Sequence, residues 1–371
     1  MIINRDYIVQ RIHALIAEKA GGKQKTSNGL NLWRIKKSIP LWLRNIIFSR
    51  CNPFYVVYRG LQQCPKNISS NHSFSMFAAI FLEYFLDNDV NFDTRDFYPA
   101  EDEPLIREHI DNRIKSILQK ALSQPMNEAQ LQSEQISIAL QKGMSERRNR
   151  YKLSYDGKQY CLPWQAFEVS VFGYHCGLKA VPDAAKARMA GTDFLDAGAC
   201  IGDSALIFAE YNPHTVLAYE PVTENYRGLL KTIAWNSAEG KIEAIHKGLG
   251  DKDDVMEISI AGGSSSLQTV SNSGAATTEK ISITTIDKEC VNRTIGLIKM
   301  DVEGFEYFAV KGGLATITRD KPVLLISIYH TGKDFFEIPP MLKQAVPEYQ
   351  FRYVDVSPLS PIYEKMLVAY V

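Results

Sequence analysis

The segment Phe194-Leu195-Asp196-Ala197-Gly198-Ala199-Cys200-Ile201-Gly202-Asp203-Ser204 constrains the fold more than any other stretch. An apolar run ends in an acid and passes through small residues and two glycines into a helix start. Such a turn lets a ligand approach bare backbone amides, with the helix N-terminus adding partial positive charge. A second apolar run, Thr215 to Tyr219, ends about twenty residues on in Glu220-Pro221. A carboxylate there suits a ribose, whose two hydroxyls it can accept.

The spacing selects among nucleoside cofactors. Behind Asp196 the glycines read G-x-x-x-G, not the G-x-G-x-x-G that seats a dinucleotide pyrophosphate, so an NAD-dependent reaction is disfavoured. S-adenosylmethionine, which has no phosphate, fits better. From Gly191 onward, strand-like runs near 192–196, 215–220, 242–248, 295–301 and 322–329 alternate with helical patterns, which argues for a parallel sheet covered on both faces. Gln350 to Val354 and Met366 to Val371 read as an antiparallel edge. The ends of the five runs carry Asp196, Glu220, the Gly248-Leu249-Gly250-Asp251 turn, Asp301 and His330. Ligands bind at such carboxyl ends.

Ahead of this region the pattern is mainly helical, with helices expected over 3–20, 73–87, 104–122 and 126–148. Near Tyr151 it turns extended, and Asp156-Gly157 reads as a type I′ hairpin turn. A domain boundary is therefore expected at about residue 150. The 371 residues carry 42 basic and 42 acidic side chains, a balance that gives no global reason to expect nucleic acid. The charge is nonetheless segregated, because Lys19 to Leu82 contains no acid and many basic and aromatic residues. Stems of Arg and Lys covering a small core explain that stretch; contact of residues 19–82 with a peripheral membrane surface or an anionic polymer is the alternative. Six scattered cysteines read as reduced thiols, and the first residues show no signal-peptide pattern, so a cytoplasmic location is expected.

On these residues the chain resembles the FkbM-type family of S-adenosylmethionine-dependent methyltransferases over about residues 150–370. The matching pieces include the Phe194–Ser204 turn, Tyr219-Glu220-Pro221 with Glu224-Asn225, Gly248-Leu249-Gly250-Asp251, Gly263-Ser264-Ser265-Ser266-Leu267, Ile283 to Asp287, and Ile298-Lys299-Met300-Asp301-Val302-Glu303-Gly304-Phe305-Glu306. The resemblance implies a class I methyltransferase fold, a Rossmann-like sheet of seven strands with helices on both faces. It also departs at Tyr329-His330, where relatives often carry a Glu before the His, which leaves His330 alone as that strand's acid–base group.

The expected activity is O-methylation of a hydroxyl on a small-molecule, carbohydrate or other secondary-metabolite acceptor. Asp196, Gly198, Ala199, Gly202, Asp203, Glu220 and Asn225 are the expected cofactor residues. Asp301, His330 and Glu303 are the expected catalytic groups, with helix capping or contact with the cofactor amino group as the other reading of Asp301. Ser264, Ser265 and Ser266 read as a loop able to close over the acceptor. Because the acids and histidines lack a tight linear ligand spacing, no metal site is expected. The competing reading is a non-catalytic module that keeps this fold as scaffold.

Overall fold

The computed structural model describes residues 1–18, 78, 80, 81, 84, 85, 88–117, 126–148, 150–261, 264–266 and 277–371. The basic aromatic stretch 19–77 lies outside them, as does most of the helix expected over 73–87.

Seven strands form the central sheet: β1 (Asp193–Ala197), β2 (Val216–Tyr219), β3 (Ile242–Ile245), β4 (Ile295–Met300), β5 (Val323–Ser327), β6 (Gln350–Asp355) and β7 (Lys365–Tyr370). Their spatial order is β6-β7-β5-β4-β1-β2-β3. The first five run parallel, and β7 is antiparallel to both β5 and β6, so the two C-terminal runs form the expected antiparallel edge. The strand order reverses between β1 and β4, which opens a crevice at their carboxyl ends.

Side chains alternate across the sheet because successive residues of a strand point to opposite faces. Leu195 and Ala197 of β1, Ile298 and Met300 of β4 and Leu324 and Ile326 of β5 enter one core, beside Ala309, Ile317 and Phe335 of the helices Glu306–Lys311, Leu314–Asp320 and Gly332–Ala345. Phe194, Leu297, Val323 and Leu325 enter the opposite core, beside Leu206 of helix Asp203–Phe208 and Leu229 of helix Thr223–Trp235. Helices therefore cover both faces.

A second sheet projects from the segment between β3 and β4. Asp254–Ala261 pairs antiparallel with Ser264–Ser266 and with Thr277–Thr284, and Gly248–Leu249 joins in parallel. This corrects two expectations. The third strand stops at Ile245, and Ser264–Ser266 is an edge strand rather than a free loop.

The N-terminal elements pack into the first core instead of standing apart. Ile3, Ile8, Phe81, Phe92 and Ile106 belong to the same buried cluster as Leu195 and Met300. Phe81, Phe85 and Phe92 meet Phe335 and Phe336 at ring separations of 4.8 to 6.1 Å. Asp102 pairs with Arg352 of β6 at 2.9 Å. The expected boundary near residue 150 falls inside a three-stranded antiparallel sheet, Met144–Arg147, Arg150–Tyr155 and Lys158–Leu162. Asp156 and Gly157 both have positive φ, as a type I′ turn requires. The helix expected over 126–148 ends at Gly143, where a Cβ would lie 2.1 Å from the Ser154 carbonyl oxygen. That glycine lets the neighbouring strand approach and redirects the chain into Met144–Arg147.

Phe335 touches both the N-terminal aromatics and the sheet core. Truncation to Ala is expected to lower unfolding stability by about 3–5 kcal/mol. Urea unfolding should stay a single transition, and loss confined to one of two separate transitions would contradict the shared core.

Candidate functional site

The crevice at the carboxyl ends of β1, β2 and β4 forms an open cleft. Gly198, Cys200, Glu220, Asn225, Asp301 and Glu303 line its polar side. Leu249, Ile258, Ile281, Ile283 and Phe305 form an apolar wall, mostly from the second sheet. Linear reading missed that wall because its strands serve the cleft only after folding back over it.

Glu220 leaves the end of β2 and is buried. Its Oε2 accepts from the Cys200 amide at 3.0 Å, and its Oε1 accepts from the Val222 amide at 2.8 Å and from Asn225 Nδ2 at 3.4 Å. Burial nevertheless pushes its carboxyl up to about 7, against the pull of those donors. Asn225 thus supports the carboxylate rather than standing free on its helix.

Asp196 is not on the rim. It shares a face with Phe194 and points into the core at 0% exposure. Its register partner on β4 is Lys299, whose Nζ lies 3.2 Å from Asp196 Oδ1 and donates to the Gly198 carbonyl at 2.9 Å. Ser204 Oγ donates to the other Asp196 oxygen at 2.6 Å. Burial alone would lower the Lys299 ammonium, yet Asp196 and further carboxylates outweigh it and hold the group charged. The Asp196–Lys299 pair therefore shapes the turn from behind.

The other expected cofactor residues separate in the same way. Gly198 lines the cleft at φ 73°, with the Asp301 carbonyl so close that a Cβ would sit 1.9 Å from its oxygen. Gly202 and Ala199 are buried, and a Cβ on Gly202 would meet Leu229 at 2.5 Å, so Gly202 serves helix packing. Asp203 begins its helix beyond the cleft lining, where burial and the nearby Glu168 push its carboxyl up to about 7. Asp251 pairs with Lys311 at 3.0 Å instead of reaching the cleft.

The three expected catalytic residues do converge. His330 lies just past the end of β5 and is 1% exposed. Its Nδ1 meets Glu306 Oε1 at 3.0 Å, while Nε2 faces Asp301 Oδ1 at 3.6 Å and Glu303 Oε2 at 3.5 Å. Burial would lower the imidazole, but Glu306, Asp301 and Glu303 together raise it to about 10. Glu306 was not among the expected catalytic groups. Fully buried, it also accepts the Val302 amide at 2.8 Å and the Gly304 amide at 2.9 Å, so one carboxylate closes the Asp301–Glu306 turn and fixes the ring. Behind His330, buried Arg113 of helix Glu103–Ile117 donates to the Tyr329 carbonyl. Tyr329 Oη lies 3.4 Å from Asp301 and 3.3 Å from Glu364. Asp301, Glu306 and His330 also offer ligand atoms within 4.8 Å of one another, a grouping that linear spacing did not reveal.

Residues 196–353 match the family model described as the methyltransferase FkbM domain. That stretch of the chain is thus similar to an FkbM methyltransferase domain. No curated protein matches the chain. Among solved structures, the methyltransferase FkbM from Methylobacillus flagellatus KT is similar at 22% identity and a TM-score of 0.40, covering 48% of this chain and 44% of that one. A tRNA m1G37 methyltransferase from M. jannaschii matches at 12% identity and a TM-score of 0.35, covering 61% and 57%. The Pyrococcus abyssi tRNA (uracil-54, C5)-methyltransferase, solved with S-adenosyl-L-homocysteine, matches at 13% identity and a TM-score of 0.35, covering 61% and 46%. The chain thus spans about half the length of each of these proteins. Within the matched residues fall both the buried Asp196–Lys299 pair and the His330 cluster.

Replacing Lys299 with Met leaves Asp196 buried without its counter-charge and is expected to cost about 3–5 kcal/mol of stability. Adding Asp196→Asn should return part of that loss in denaturant unfolding. Equal stability of the single variant and the parent would refute the pair's role.

Proposed function

We propose that this methyltransferase domain uses S-adenosylmethionine to methylate a hydroxyl on a carbohydrate or other secondary-metabolite acceptor. The observation that carries the reading is buried Glu220 at the tip of β2, facing a cleft with bare Gly198 on one side and an apolar wall on the other. Glu220 accepts the ribose hydroxyls, the wall of Ile258, Ile281, Ile283 and Phe305 covers the base, and Gly198 permits close approach of the methionine moiety. Asn225 holds Glu220 in place. Asp196, Ala199, Gly202 and Asp203 act behind this surface by shaping the turn and its helix.

The transfer is an in-line displacement. A lone pair on the acceptor oxygen forms the new O–C bond as the S–C bond breaks, leaving neutral S-adenosylhomocysteine, and the hydroxyl proton passes to the Asp301, Glu303 and His330 cluster. The fold supplies mainly alignment, because the β1 turn and the Asp301 turn touch through Gly198 and bring donor and acceptor sides together. A non-catalytic role for the domain is disfavoured by the convergence of Asp301, Glu303 and His330 beside the cleft. No helix among the described residues is long and apolar enough to cross a membrane. Action in the cytoplasm on a soluble acceptor, without nucleic acid, completes the proposal; contact of residues 19–82 with an anionic surface concerns a stretch of which all but residues 78, 80 and 81 lie outside those described.

Calorimetry tests the cofactor assignment. Glu220→Ala should weaken S-adenosylmethionine binding by about 1.5–3 kcal/mol, as expected for loss of hydrogen bonds to a charged group. The pH dependence has a defined sign. A carboxyl raised from 4.5 to about 7 contributes stability that is fully present below 4.5 and lost as pH rises through about 7. Ribose hydroxyls donate to the ionised form, so cofactor affinity should rise with pH up to about 7 and then level off. An affinity unchanged between pH 5.5 and 8, or unchanged by the substitution, would reject Glu220 as the ribose acceptor.

A further inference from the structure

We propose that a second cavity, lined by helix Glu103–Ile117 and the loop between β6 and β7, binds a neutral sugar; only the assignment of that sugar to the acceptor rests on the reading of the cleft as a methyl-transfer site. Tyr353 and Asp355 of β6 and Lys365 of β7 line it together with His109 and Asn112 of the helix and residues 358–361 of the loop. It shares no lining residue with the cleft.

Two buried polar atoms of its lining residues lack a protein partner. His109 is 1% exposed and Tyr353 is 2% exposed. Arg113 Nε donates to His109 Nε2 at 3.0 Å. A guanidinium has only donors, so Nε2 is the accepting nitrogen and the ring proton sits on Nδ1. Phe335 stacks on this ring at 5.8 Å and Phe81 meets it edge-on at 5.9 Å, which holds its orientation. Among the described residues, neither His109 Nδ1 nor the Tyr353 hydroxyl has a hydrogen-bond partner. Buried donors are almost always paired. An N–H and an O–H left over on rings 5.9 Å apart, in residues that line one cavity, call for acceptor oxygens supplied by a ligand.

The charges nearby decide what kind of ligand. Lys365 pairs with Asp355 Oδ1 at 2.7 Å and donates to the Ser360 carbonyl at 2.7 Å. The ammonium in the lining is thus committed, and Asp355 and Glu108 stand beside it, which disfavours an anion. Asp355 uses Oδ1 for the Ser357 amide as well, so its Oδ2 remains to accept a hydroxyl. Leu105, Met126 and Leu359 add exposed apolar carbon to the same lining. Hydrogen-bonding groups with apolar carbon beside them match the hydroxyls and C–H faces of a pyranose. The loop also touches the acidic side of the cleft. Glu364, next to Lys365, lies 3.3 Å from Tyr329 Oη, and that oxygen lies 3.4 Å from Asp301. The sugar is therefore assigned as a remote unit of a carbohydrate acceptor, where binding energy is gathered away from the reacting atoms.

Saturation-transfer NMR on the full chain without cofactor should detect binding of at least one of methyl glucoside, methyl galactoside and methyl mannoside at millimolar concentration. Tyr353→Phe removes only the unpartnered hydroxyl, so it should weaken that binding by about 3–10-fold and leave thermal unfolding unchanged. Leu359→Ser alters an exposed side chain with little risk to folding and should weaken binding too. Absence of transfer to all three sugars, or affinity unaltered in both folded variants, overturns the site. Methyl glucuronide should bind more weakly than the neutral glycosides, and tighter binding would overturn the choice of a neutral ligand. A chain that binds S-adenosylmethionine but no sugar overturns the cavity proposal alone. A chain that binds sugar but no S-adenosylmethionine leaves the cavity site standing and rejects the reading of the cleft.

Discussion

The cross-strand pair of Asp196 and Lys299 is the interaction on which the geometry of the cleft depends. Two charged side chains occupy register positions on neighbouring central strands, at 0% and 5% exposure, where solvent cannot screen them. A shift of one residue between β1 and β4 would move one of them to the opposite face and leave both uncompensated. The pair therefore enforces register where the strand order reverses. Lys299 also holds the Gly198 carbonyl, and Gly198 has no Cβ to keep the Asp301 carbonyl away. The turn after β1 and the turn at Asp301 are thus tied together through one ammonium and one missing methyl.

Much of this was legible in the sequence, though not always in the right role. Apolar runs ending in Asp196, Glu220, Asp301 and His330 revealed the parallel strands, because burial on both faces demands continuous apolar character. Glu220, Asp301 and Glu303 line the cleft as expected. Asp196 was misplaced because the end of a run does not tell which face its last acid takes. Its partner Lys299 lies 103 positions later and meets it only through strand pairing. Gly202 looked like a ligand-facing glycine, but its missing Cβ accommodates Leu229. Glycine signals close approach without saying what approaches. Glu306 was not singled out, since nothing local to it announces a histidine from the next strand.

The N-terminal elements show the same limit on a larger scale. Their helical periodicity could be read directly, whereas their destination could not. A buried face has no address until its partner surface exists. In the folded chain, Phe81 packs against Phe335 and Phe336, and the guanidinium of Arg113 lies 4.3 Å from the centre of the Phe81 ring. Burial pushes Arg113 down to about 9, yet its hydrogen bonds reach His109 and the Tyr329 carbonyl. The residue before His330 is therefore held from a helix more than two hundred positions earlier. An element that looks like an appendage in the sequence buttresses the strand end that carries His330.

The cleft divides by polarity, and the division follows from where each wall comes from. The excursion between β3 and β4 brings isoleucines to the Glu220 side, leaving one carboxylate against an apolar surface. The turn after β4 brings Asp301 and Glu303 to the other side, where burial and the neighbouring Asp301 push the Glu303 carboxyl up to about 7. A neutral nucleoside is best placed against the first wall, since base and ribose need apolar cover and one acceptor. Positive charge is best placed toward the second. A sulfonium donor carries both characters in one molecule, and it can satisfy both walls only if it lies across the Gly198–Asp301 contact with its charged centre toward the acids. In the proposed methyl transfer that centre is discharged, so product would lose the attraction that substrate had, and the acidic wall would favour exchange of spent donor for fresh.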